Sequence, residues 1–191
     1  MIYVIIGPSG SGKTAIVERF LREYPGVAVK AVTTTTRSPR KGELDGVHYY
    51  FISNSEFEKL KGKNRFLECA EYPKGSGQLY GLTVTEIAQL LNTGKTVLVI
   101  LEENGLDALK QIFKEVKSVY IKRNEILAAQ SVNNRHIPFE EKKARLEQNK
   151  KTKRVKGRVD FVIDNNKTIK DAVDSLAQII MPNETNLNKQ A

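Results

Sequence analysis

Apolar residues fall in short unbroken runs separated by stretches with a helical period. Ile2–Ile6 is the first such run, and it passes directly into a glycine-rich turn. A short continuous apolar run bounded by turn residues reads as a buried strand. A helical pattern follows from about Lys13 to Tyr24, and Val27–Val32 predicts a second strand. Further on, Tyr49–Ile52 and Phe66–Ala70 predict short strands around a helix near Ser55–Leu60. Val84–Leu91 predicts a helix, Val97–Leu101 a strand, Leu106–Phe113 a helix and Ser118–Ile121 a strand. Glu125–Val132 and Phe139–Lys153 predict two helices joined near Pro138, before a last strand at Phe161–Ile163 and a last helix at Ile169–Ile180. Buried strands alternating with helices predict an α/β fold, a parallel sheet with helices on both faces. The stretch from about Thr33 to Leu82 breaks that rhythm with short strands and turns, and is expected to be an inserted lobe. The tail Pro182–Ala191 is polar and expected to fray.

Composition narrows the class. The 191 residues suit one domain with insertions. A single cysteine, Cys69, excludes a disulfide framework and a cysteine-rich zinc module. No apolar run approaches the roughly 18–20 residues that a bilayer demands. The start MIYVIIGPSGSGKT has no basic leader, so a cytoplasmic protein is expected. The net charge of +9 sits mostly in Lys142–Arg158, which holds nine Lys/Arg against the single acid Glu147. Such a run is either a solvated helix face or a surface for an anion, nucleic acid or a phosphorylated small molecule.

The turn after the first strand carries the most specific chemistry. Gly7, Pro8, Ser9, Gly10, Ser11, Gly12, Lys13 and Thr14 match G-x-x-x-x-G-K-[ST] without a mismatch, after a predicted strand and at the start of a helix. Glycines let successive backbone N–H groups turn inward around a phosphate, and the helix N-terminus adds partial positive charge. The Lys13 ammonium suits the terminal phosphates of a nucleoside triphosphate, and the Thr14 hydroxyl suits Mg²⁺.

What receives a phosphate must be read further on. The run from Thr33 to Glu43, TTTTRSPRKGE, sets Arg37 and Arg40 three apart beside a hydroxyl cluster, and guanidiniums suit a phosphate dianion. Tyr49 and Tyr80 alone read as packing aromatics, and Glu68 alone reads equally well as the solvent face of a strand. His48 and His136 have no metal-ligand spacing and are expected at the surface; Cys69 is expected to be a small core residue. Taken in order, however, TTRSPRKGELDGVHYYFIS, FLECAE and LYGLT, with the phosphate loop before them, resemble the guanylate kinase family over roughly the first half of the chain. The order of elements agrees in the second half.

The resemblance implies a P-loop NTPase-type parallel sheet with a small mixed GMP-binding lobe and a helical lid. It divides residues 1–181 into a core (1–32, 84–123, 159–181), an acceptor-binding lobe at about 33–83 and a lid at about 124–158. It implies the reaction ATP + GMP ⇌ ADP + GDP with Mg²⁺, acting on GMP or dGMP. Arg37, Arg40, Tyr49 and Tyr80 match positions that hold the GMP phosphate. Glu68 matches the carboxylate that accepts from guanine N1–H and the 2-amino group, with Thr33 and Glu102 near the base. Arg135 and Arg145 fall in the lid, where the family supplies arginines to the transferring phosphate. Three positions depart from the family pattern. Leu82 stands where a serine reaches toward guanine O6, leaving Thr83 as its substitute; Ile100 stands for an aspartate, and Gln130 for a lid arginine. The loop Tyr72–Leu79 is also longer than usual. A monomer or homodimer is expected, with ATP and GMP rather than nucleic acid or a membrane as partners. The alternatives are a catalytically weak guanylate-kinase-like module and a related small-acceptor kinase, such as a ribose-bisphosphate kinase.

Overall fold

The computed structural model describes residues 1–152 and 159–182. The end of the basic run beyond Thr152 and the tail beyond Pro182 lie outside the described residues. In chain order the elements are β1 (Ile2–Ile6), α1 (Lys13–Glu23), β2 (Ala28–Lys30), β3 (Thr34–Thr35), β4 (Tyr50–Phe51), α2 (Asn54–Gly62), β5 (Phe66–Glu71) and β6 (Leu79–Thr83). They continue with α3 (Val84–Leu91), β7 (Thr96–Ile100), α4 (Glu103–Ile112), β8 (Val116–Lys122), α5 (Glu125–Asn133), α6 (Phe139–Thr152), β9 (Phe161–Asp164) and α7 (Ile169–Ile180).

β1 is buried along its whole length because it lies at the centre of a sheet covered on both faces. Its side chains alternate between two cores. Ile2, Val4 and Ile6 pack with Ile87 of α3 and with Leu106 and Leu109 of α4. Tyr3 and Ile5 pack on the other face against Ile16, Val17 and Phe20 of α1 and Val173 and Leu176 of α7. Full burial of an aliphatic side chain of this size stabilises by about 1.5–3 kcal/mol, so this central layer fixes the fold. Helix starts are set locally. Ser53 and Glu56 form a capping box on α2, and Thr168 and Asp171 form another on α7.

The main sheet runs β2-β7-β1-β8-β9 with every neighbouring pair parallel. Chain order reverses at β1, between β7 and β8, so a crevice opens at the carboxyl ends of these strands. A second sheet, β4-β3-β6-β5, is mixed: β3 and β4 are parallel, and β6 is antiparallel to both β3 and β5. Two of its strands, β3 and β6, are absent from the sequence reading. The threonine run of β3 carries no apolar alternation, and Gly81 interrupts β6. Tertiary contact makes both strands: a Cβ on Gly81 would lie 2.7 Å from a ring carbon of Phe66. Cys69 is partly exposed on β5 rather than core. Among the described residues no helix is long and apolar enough to cross a membrane.

A buried carboxylate ties this second sheet to the main body. Glu86 of α3 is 7% exposed and accepts from the Val32 backbone N–H at 2.8 Å and from the Tyr50 hydroxyl at 3.2 Å. Val32 begins the crossing into the second sheet, and Tyr50 belongs to β4. Glu86→Ala strands a buried N–H, and the expected loss is about 1–3 kcal/mol of unfolding free energy. Urea denaturation measures it; a loss under about 0.5 kcal/mol, the scale of an ordinary surface change, would show that Glu86 does not carry this junction.

Candidate functional site

The turn after β1 lies at the reversal point of the sheet, and its shape depends on close backbone approach. Gly10 has φ 84°, and a Cβ there would strike the Ala128 carbonyl of α5. Gly12 has φ 93°, and a Cβ there would lie 2.5 Å from Asn165 Nδ2. Both conformations are ones L side chains rarely adopt. Asn165 Nδ2 also donates to the Ser11 carbonyl at 2.8 Å, so the residue after β9 props the loop from beneath. Ser11 Oγ is buried without a hydrogen-bond partner among the described residues. The Lys13 ammonium folds back on its own loop and donates to the Gly7 carbonyl at 2.6 Å and the Pro8 carbonyl at 3.1 Å. Burial lowers its pKa to about 8; Glu102 opposes the shift, while Arg135 and Arg145 add to it. Lys13 is therefore a buried cation held by two backbone carbonyls.

The loop forms one wall of a cavity of about 600 Å³. Ser9 through Thr14 line it on that side. The second sheet and its loops contribute Thr33, Arg40, Tyr49, Glu68 and Tyr80. The end of β7 contributes Ile100 and Glu102, and the segment after β8 brings in Arg135 and Arg145. Residues far apart in sequence thus meet around one space. Burial pushes the Glu68 carboxyl up to about 7, and the nearby Glu102 adds to the rise. Glu102 is itself raised by burial, against the pull of Lys13 and Arg145. Burial lowers Arg135, and the neighbouring Arg145 and Arg40 lower it further.

Six of the residues singled out from the sequence do not line this space. Gly7 and Pro8 present their carbonyls to Lys13 from behind. Arg37 is 7% exposed and stands behind the tyrosines. It pairs with Glu43 at 2.9 Å, donates to the Tyr80 hydroxyl at 3.2 Å and packs 5.4 Å from the Tyr49 ring centroid. Thr83 is the N-cap of α3, accepts from the Glu86 N–H at 3.2 Å and does not line the cavity. Leu82 is fully buried in the core, opposite Glu68 in the β5–β6 register. Gln130 sits exposed on α5, away from the cavity lining.

The sequence reading missed other residues that line the cavity: Tyr72, Lys74, Asn104 and Gln148. Tyr72 presents its ring to Arg145, whose guanidinium carbon lies 4.8 Å from the centroid. Burial raises the Tyr72 hydroxyl to about 12, and Ser9 lies beside it. Two residues of α6 were also missed. Asn149 accepts from the Ser9 N–H at 2.6 Å and donates back to the Ser9 carbonyl at 3.1 Å. Glu141 pairs with both Arg40 and Arg145. A signal did exist: residues 141, 145 and 149 recur at four-residue spacing and share one helix face.

Comparison with known proteins identifies the family. The family model described as "Guanylate kinase" matches residues 1–183. A guanylate kinase of Desulfitobacterium hafniense is 30% identical over 194 residues, covering 100% of this chain and 94% of its own. Guanylate kinases of Chromobacterium violaceum and Synechococcus elongatus are 35% and 36% identical over 120 residues, or 63% of this chain. Those two matches span 55% and 63% of the relatives' own length, less than two thirds. The fold resembles the crystal structure of a guanylate kinase from Anaplasma phagocytophilum, with a TM-score of 0.74 at 24% identity over 95% of this chain and 85% of that one. With the family model covering nearly its whole length, the chain belongs to the guanylate kinase family.

Proposed function

We propose that this chain transfers the γ-phosphoryl group of ATP to GMP or dGMP, giving ADP and GDP or dGDP. The single observation that supports it best is that Glu68 and the Lys13–Thr14 turn line one continuous cavity. The turn suits a triphosphate, with backbone N–H groups and a helix N-terminus aimed at its oxygens. A purine monophosphate then fits the opposite side. Arg40, Tyr49 and Tyr80 surround its phosphate, and Arg37 holds the two tyrosines in place from behind. The Glu68 carboxylate accepts from guanine N1–H and the 2-amino group, with Thr33 and Glu102 beside the base. Adenine presents an acceptor where guanine presents N1–H, so AMP would leave a buried carboxylate facing a lone pair. Unpaired buried polar groups are a strong means of rejecting near-isosteres.

Phosphoryl transfer then requires alignment and charge neutralisation more than covalent chemistry. An oxygen of the GMP phosphate attacks the γ-phosphorus, and the bond to the β–γ bridging oxygen breaks, leaving on ADP. Lys13 loses its carbonyl partners to the phosphates, and Arg135 and Arg145 meet the charge on the transferring group. Closing α6 over the cavity excludes water. The residues present also fit Mg²⁺ carried in with ATP. Thr14 offers an exposed hydroxyl at the cavity wall, and no cluster of three or more His, Cys, Asp or Glu able to hold a metal occurs among the described residues. Mg²⁺ keeps most of its waters and binds largely through phosphate oxygens, so one protein hydroxyl suits it. When bound it supplies Lewis-acid neutralisation of the phosphates.

A coupled assay tests the reading: ATP, Mg²⁺ and GMP yield GDP, and AMP, CMP and phosphorylated sugars do not. No turnover and no calorimetric binding of GMP would end it. Lys13→Ala is expected to lower kcat at least about 100-fold, since it removes a charge at the transferring group. Its circular dichroism stays unchanged; retained activity would contradict the role of the turn. The Glu68 carboxyl, held up at about 7, gives a third expectation. It accepts from guanine only when ionised, so kcat/KM for GMP falls as pH drops through that value. Glu102 contributes to the rise, so Glu102→Gln shifts the midpoint to lower pH. A profile flat from pH 8 to 6 would show that the carboxylate does not read the base.

A further inference from the structure

Glu141 has no place in the reading above, yet it is among the most engaged carboxylates at the site. Its side chain is 8% exposed on α6. One oxygen, Oε1, accepts from Arg40 Nη2 at 2.7 Å and from Arg145 Nε at 2.9 Å, with Arg145 Nη2 at 2.8 Å. Arg40 belongs to the loop after β3, 101 residues earlier in the chain, whereas Arg145 lies one helical turn from Glu141. The two contacts therefore differ in kind. The pair within α6 persists wherever the helix moves, because residues four apart stay neighbours. The bridge to Arg40 exists only while α6 is docked on the second sheet.

Charge gives this geometry a consequence. Arg40, Arg135 and Arg145 converge on one cavity; burial lowers the pKa of Arg135 most, and the neighbouring Arg145 and Arg40 lower it further. Without a carboxylate between them, Arg40 would repel the helix that carries Arg145. Glu141 converts that repulsion into a bridge. It also leaves Arg145 Nη1 outside the ion pair while the Tyr72 ring fixes the plane of the guanidinium. At the far end of the same face, Asn149 fastens α6 to Ser9. Docking thus touches both halves of the cavity, and the acceptor side is held through Glu141.

We propose that Glu141 is a positioning residue that couples docking of α6 to Arg40 and presents Arg145 to the transferring phosphate. The proposal rests on the kinase reading for its kinetic part. Glu141→Gln keeps size and one acceptor oxygen but removes the charge; Glu140→Gln, exposed on the preceding position, is the control. Three readouts are taken: steady-state kinetics with ATP and GMP, calorimetric binding of ATP, and amide hydrogen exchange of residues 139–149 in the nucleotide-free protein. The expected result for Glu141→Gln is a fall in kcat on the order of 10- to 100-fold from misplacement of Arg145. Its ATP dissociation constant, measured by calorimetry, stays within about twofold, because Glu141 touches no residue of the phosphate turn and Asn149 keeps its own contact with Ser9. Exchange in α6 quickens relative to wild type and to Glu140→Gln, and adding Glu141→Gln to Arg40→Ala quickens it no further. An unchanged kcat overturns the proposal, and so does unchanged exchange. A lower KM for GMP at undiminished kcat also overturns it, showing a carboxylate that merely competes with the acceptor phosphate. Should wild type fail to phosphorylate GMP, the kinase reading falls while the exchange measurements still decide whether Glu141 couples α6 to Arg40.

Discussion

Five cations share one cavity, four of them besides the exposed Lys74, and the fold must hold them close together. Lys13, Arg40, Arg135 and Arg145 all line it. Burial disfavours the charges of Lys13, Arg135 and Arg145, and proximity sets Lys13 and Arg135 against Arg145. Lys13 shows this most directly, with its pKa brought down to about 8. The solution is a set of internal stand-ins. Two backbone carbonyls take the Lys13 ammonium, one carboxylate takes Arg40 and Arg145, and the Tyr72 face takes what remains of Arg145. Under the proposed function a polyphosphate would exchange these partners for stronger ones, and part of its affinity would come from relief of that repulsion.

The parallel sheet makes this crowding affordable. β1, β7 and β8 end together at the reversal of chain order, and their carboxyl ends deliver the glycine turn, Glu102 and the segment leading to α5 to one place. The turn is then clamped by backbone rather than by ligand: Ala128 crowds Gly10, and Asn165 supports Ser11 and Gly12. Rigidity on this side contrasts with the opposite side, which is a separate small sheet joined through contacts such as Glu86. A phosphate turn clamped by backbone, facing a small sheet joined through side-chain contacts, suits the proposed reaction, which brings two anions end to end.

Local features were legible in the sequence and long-range ones were not. β1 and the turn could be read because an apolar run, glycines and a Lys-Thr pair lie next to one another. Glu68 took its meaning from the motif around it, since its position on a strand says nothing about which face looks into a cavity. Arg37 was read with the phosphate contacts, yet it pairs with Glu43, only six residues away in the same turn. That short separation was the overlooked signal. Thr83 was expected to reach the base, but a threonine three residues before a glutamate is first a helix cap. Tyr72 was missed because its partner Arg145 lies far away in the chain; for Glu141 the four-residue spacing to Arg145 was a signal, but no periodicity reports its contact with Arg40 across 101 residues.

The departure at Ile100 bears most directly on the charge balance. The end of β7 places an apolar side chain on the cavity wall where the family resemblance implied a carboxylate. The negative charge available to Lys13 then comes from Glu102, two residues on, at the N-cap position of α4. There Lys13 and Arg145 favour the ionised carboxylate, partly offsetting the burial that raises its pKa. Moving the charge from strand end to helix start takes it away from the strand that flanks the phosphate turn. A divalent ion arriving with ATP would then lean on phosphate oxygens, water and the Thr14 hydroxyl, a donor set that Mg²⁺ tolerates better than most metals. Ile100 is in this sense compatible with phosphoryl transfer, provided that Lys13 and the arginines carry the larger share of neutralisation.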